Sequence, residues 1–133
     1  MASSTPFEFT RTTNKYFLSL GKGAIACSFL LLIFAFLNLV TTYRLASAGV
    51  LAPMELLFPV LVIASCFISS AALARAAKKL RLIAVTEGND IRLLENGLQS
   101  FKISFYSLAV MLGFLGLRYI NLMDKIQNYY QAN

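Results

Sequence analysis

Three runs of this chain contain no Lys, Arg, Asp or Glu: Gly23–Tyr43, Leu56–Ala74 and Ile103–Leu117, each closed at both ends by a charged residue. As helices rising ~1.5 Å per residue, the first two reach about 31 and 28 Å, close to the ~30 Å hydrocarbon thickness of a bilayer. A soluble helix of that length needs a polar face, and Gly23–Tyr43 offers none. The chain therefore reads as an all-α integral membrane protein with three transmembrane helices, over about 23–43, 56–74 and 101–120. Its balance of 58% hydrophobic to 14% charged residues, with mean hydropathy +0.68, agrees. A soluble domain is nearer half apolar and a quarter charged.

The third run, at about 15 residues, is short for a span. Lys102 and Arg118 can lengthen it by carrying their stems through the apolar layer to the headgroups. A re-entrant or interfacial third segment is the open alternative. Before the first span, residues 1–22 read as an interfacial segment, because Phe7, Phe9, Tyr16 and Phe17 are too apolar for a solvated tail. Glu8, Arg11 and Lys15 make it unlike a secretory signal. Residues 23–123 form a single helical domain, and 124–133 a polar tail carrying Tyr129 and Tyr130. Pro53 suits a helix start and Glu55 its first turn. Pro59 is expected to kink the entry of span two. Asn38 calls for a hydrogen-bond partner on another helix or at the headgroups.

Arg75, Lys78, Lys79 and Arg81 follow span two with no helix breaker, so helix two should continue to about Val85. Gly88 then suits a left-handed cap, and Asn89 or Asp90 the next N-cap. Ile91, Leu94, Leu98 and Phe101 recur at helical steps, with Arg92, Gln99 and Lys102 largely off that face. Helices two and three are thus expected to extend as a cytoplasmic helical hairpin over 75–102, with Ile91, Leu94, Leu98 and Phe101 as its seam. Inside the membrane, Ser65, Ser69 and Ala72 form a small-residue stripe suited to close helix packing, and Gly113 and Gly116 offer the same on span three.

Of the 12 Lys and Arg residues, nine lie before span one or between spans two and three. The positive-inside rule places both regions in the cytoplasm and the C-terminus outside, in a cell inner (plasma) membrane. The net charge of +6 follows from this topology, with no aromatic-plus-basic motif for nucleic acid. Arg75, Lys78, Lys79 and Arg81 are the expected contacts to anionic lipid.

There is no histidine. That removes the commonest metal ligand and the commonest general base. No span carries a carboxylate away from its ends, so a proton relay lacks its usual groups. Cys27 and Cys66 form no CxxC pair and read as small packing residues. No catalytic, cofactor-binding or metal-binding residue is assigned, and the chain is not expected to be an enzyme. It would hold no cofactor of its own, with lipid or pigment at subunit interfaces.

Lys15-Tyr16-Phe17 forms a basic-aromatic entry to the first span. The second span ends in the basic run Arg75–Arg81, and Leu93–Lys102 is a leucine-spaced stretch leading into the last. In these features the chain resembles a family of small bacterial inner-membrane proteins that carry a domain of unknown function. The resemblance covers most of Lys15–Leu117 and implies an architecture and no activity. The tail after Arg118 departs from it.

What remains is surface for association. The expected function is a non-catalytic accessory subunit of a larger membrane complex, with respiratory or photosynthetic assemblies as the base-rate hosts. Its partners would be membrane lipids and other integral membrane subunits, with no nucleic acid. Two alternatives stand beside it: a homo-oligomeric holin-like pore, and a regulator whose basic hairpin binds anionic lipid or a cytoplasmic partner.

Overall fold

A computed structural model describes residues 9–49, 53–85 and 90–131. Helix α1 spans Arg11–Ser47, a single 3-10 turn covers Pro53–Leu56, α2 spans Leu57–Ile83 and α3 spans Asp90–Gln131, with no strand among the described residues. All three α-helices are long and apolar enough to cross a membrane. At ~1.5 Å per residue they measure roughly 55, 40 and 63 Å, so all three exceed the ~30 Å hydrocarbon layer, α1 and α3 by the most.

The N-terminal segment is not separate from the first span. Thr10 caps α1, its side chain accepting from the Thr13 amide at 3.4 Å, and Phe9 folds back edge-on against Phe17 at 5.1 Å. The helix then runs through Gly21 and Gly23 without a break. It ends where Gly49 takes a positive φ of 69°, a conformation costly for any residue with a Cβ. Its last turn closes with the Ala48 amide on the Arg44 carbonyl and the Gly49 amide on the Ala46 carbonyl. Pro59 sits in the first turn of α2, where the amide it lacks would have had no partner in the helix. At the other terminus, α3 carries on through the expected tail to Gln131. The turn residues Gly88 and Asn89 lie outside the described residues.

Helix α2 is the middle element: extensive contact joins it to α1 and to α3, and far less joins α1 to α3 among the described residues. Its apolar window is 44% buried, against 17% for those of α1 and α3. One packed cluster joins Ala35 of α1 to Val62 and Cys66 of α2 and Met111 of α3, and a second joins Ala24 to Leu73 and Ala77. The buried residues are mostly small. The large ones, including Phe29, Phe36, Phe67, Phe105 and Leu112, lie outside.

Candidate functional site

The seams that hold α2 follow a pattern of small residues. On α1 the positions turned to α2 are Gly21, Ala24, Ser28, Leu31, Ala35, Asn38 and Thr42, alternating steps of three and four. On α3 they are Leu94, Gly97, Phe101, Ser104, Leu108, Met111 and Leu115, with the same alternation. This is the spacing of a coiled-coil seam. Small side chains in lipid let backbones approach, and packing then supplies the attraction that the hydrophobic effect cannot.

Serines pair across both seams. Ser28 Oγ donates to the Ser70 carbonyl at 3.0 Å and Ser70 Oγ to the Ser28 carbonyl at 3.1 Å, with the two hydroxyls 2.8 Å apart. Each hydroxyl has one proton, so two of these three contacts can be hydrogen bonds at once. On the other side, Ser69 Oγ donates to the Ser104 carbonyl at 3.2 Å and Ser104 Oγ returns to Ser69 at 3.4 Å, while Ser107 Oγ donates to the Ser65 carbonyl at 2.8 Å. Successive residues on a helix point about 100° apart, which is how neighbours Ser69 and Ser70 serve opposite helices. Bonds of this kind contribute ~0.6 kcal/mol on average in membrane interiors. They set the register, while close packing supplies most of the attraction.

Several expected residues fall on these seams and others do not. Ser65, Ser69 and Ala72 are buried. Gly113 and Gly116 are exposed, and a Cβ added at either would meet nothing within 4 Å. Leu94 and Phe101 are partly buried against α2, but Ile91 and Leu98 are 59% and 57% exposed. The contact position between them is Gly97, buried beside the Lys79 and Leu80 side chains, where a Cβ would lie 3.7 and 3.8 Å from them. Asn38 finds its partner in its own helix, donating to the Phe34 carbonyl at 3.0 Å. Both cysteines are free thiols; Cys66 is buried with Sγ 3.2 Å from Met111 Sδ, and Cys27 is exposed.

The four cations after span two are not one cluster. Lys78 and Arg81 line a groove between α2 and α1 with Ile25, Ala74, Leu82 and Val85. Arg75 lines a smaller groove on the α3 side with Ile68, Ala71, Ala72, Ser100 and Ile103. The Lys79 stem is half-buried in the seam itself. Gly21 lets α1 close on this end of α2: a Cβ there would sit 3.0 Å from Arg81 Cγ and 3.3 Å from the Ala77 carbonyl oxygen. The start of α1, the end of α2 and the start of α3 therefore stand side by side. Sequence reading had paired only the last two.

No group of three or more His, Cys, Asp or Glu side chains that could hold a metal ion occurs among the described residues. No protein-family model matches the chain, and no curated protein or solved structure matches it.

Proposed function

We propose that this chain is a non-catalytic accessory subunit of a larger integral membrane complex, of the respiratory or photosynthetic kind. The observation that carries the reading is the bareness of its outer helices, only 17% buried over their apolar windows. Phe29, Phe36 and Tyr43 on α1, and Phe105, Tyr106 and Tyr119 on α3, all point away from the chain's own core. Lipid and neighbouring subunits are the two chemistries that suit such faces, and aromatic side chains supply large contact areas to either. The Ser28 and Ser70 hydroxyls meet each other, and those of Ser69, Ser104 and Ser107 donate to backbone carbonyls across the seam; hydroxyls held in this way do not line a channel, which favours this reading over a holin-like pore.

The end that gathers nine of the 12 cations faces the cytoplasm in this proposal, with the extensions of α2 and α3 forming a cytoplasmic hairpin against which α1 packs. In a Cys27→Ala background, Ser47→Cys should react in intact cells with a thiol reagent that cannot cross the membrane, and Gly88→Cys should be protected. The converse labelling would invert the topology.

Deleting the chain tests the function. The amount of an assembled membrane complex, measured after gentle electrophoretic separation, should fall several-fold, while turnover per remaining complex stays near normal. Full assembly with slowed turnover would point instead to a regulator.

A further inference from the structure

We propose that the groove between α1 and α2 is a binding site for one anionic glycerophospholipid, its phosphate held by Lys78 and Arg81 and an acyl chain lying against Ile25 and Ala74. The groove has a volume of about 430 Å³, within the ~300–1,000 Å³ usual for small-molecule sites. The proposal is independent of the accessory-subunit reading, since the groove is complete within a single chain.

The residues are ordered as a lipid is ordered. Ala74 is the last residue of the second charge-free run, so it marks the edge of the hydrocarbon layer. Lys78 and Arg81 follow one and two helical turns further out, on the same face of α2 as Ala74. The groove is therefore apolar at Ile25 and Ala74, where acyl chains lie, and carries both cations beyond them, with Leu82 and Val85 at its outer rim. Among the described residues no carboxylate lines it, so none of them neutralises the two cations.

Gly21 pre-orders one of them. The absent side chain at Gly21 leaves space for the Arg81 stem, whose Cγ would be 3.0 Å from a Cβ at that position. Packing the stem against α1 restricts its rotamers, so less freedom is lost when the guanidinium takes a phosphate, and the planar fork suits phosphate oxygens. A free phosphate ion would use the cations and leave the apolar wall bare. The combination fits a lipid already in the bilayer.

The test uses the full chain purified in a neutral detergent, with bound lipid counted by native mass spectrometry. Phosphatidylglycerol, phosphatidylcholine of identical chains and inorganic phosphate are each titrated. Phosphatidylglycerol should bind in preference to phosphatidylcholine, and phosphate alone should not displace it. With each cation near the surface contributing its usual share, Lys78→Gln with Arg81→Gln should weaken phosphatidylglycerol about 30-fold. Arg75→Gln, in the other groove, should change it less than about twofold. Ala74→Trp fills the apolar wall with both cations in place, and it should also displace the lipid. Equal binding of the two lipids, an unchanged double variant, a loss with Arg75→Gln as large as with the pair, or a silent Ala74→Trp would each overturn the site. Displacement by phosphate would reduce it to an anion site without lipid.

Discussion

Replacing Leu80 with Asp should break the helical layer at its basic end, and replacing Leu98 with Asp should leave it intact. Leu80 is 2% exposed between the helices and touches the bare backbone of Gly97, whereas Leu98 is 57% exposed. A carboxylate at position 80 must be buried without a designed partner, at a cost of ~3–5 kcal/mol, a large fraction of what holds an ordinary domain together. One at position 98 stays in contact with water or headgroups and should cost under about 0.5 kcal/mol. Thermal unfolding followed by helical circular dichroism in detergent reads both. Equal effects would mean that the seam does not run through Gly97.

The second large effect is a contrast within α1. Gly21→Leu drives a side chain into Arg81 Cγ and the Ala77 carbonyl, at 3.0 and 3.3 Å from its first carbon alone. The oxygen belongs to the backbone of α2 and cannot rotate away. Overpacking of this sort costs ~1–3 kcal/mol, more than the ~1 kcal/mol that replacing Gly in a helix returns. Gly23→Leu meets nothing within 4 Å, so there the propensity gain stands alone and the melt should rise. A Gly21→Leu protein that melts no lower than the Gly23→Leu protein would show that α1 does not close on α2 at this end.

The three helices were legible because charge is excluded from hydrocarbon, and that exclusion writes itself as runs such as Gly23–Tyr43. Their ends were not. Arg11, Lys15 and Lys22 suggest a boundary at the membrane surface, but a charge stops burial in lipid without stopping a helix, and α1 starts at Arg11. The seam was misplaced along α3 for a related reason. Ile91, Leu94, Leu98 and Phe101 were grouped because large apolar residues mark the buried face of a soluble helix. Along this stretch the contact falls instead on Gly97, whose missing side chain lets α3 approach Lys79 and Leu80, and within the spans the protein-facing positions are the small and hydroxylated ones. The serine stripe on span two follows that logic, and Ser65 and Ser69 are buried. Applied to both faces of span two and to the other spans, the same logic covers Ser70, Ser28 and Ser104. Gly113 and Gly116 look equivalent in sequence, yet they face outward, because spacing alone does not say which side of α3 meets α2. The basic run Arg75–Arg81 was legible as charge but not as geometry. Its residues spread around α2: Lys78 and Arg81 share the groove toward α1, and Arg75 lines another toward α3.

As the proposed accessory subunit, this chain is expected to bind other membrane subunits. The most direct measurement is to tag it in its native membrane, extract it in mild detergent, and weigh and sequence the intact particle by mass spectrometry. The expected result is a particle containing unlike integral membrane subunits in fixed stoichiometry with the tagged chain. A particle made only of copies of this chain, conducting ions when reconstituted into vesicles, would contradict it.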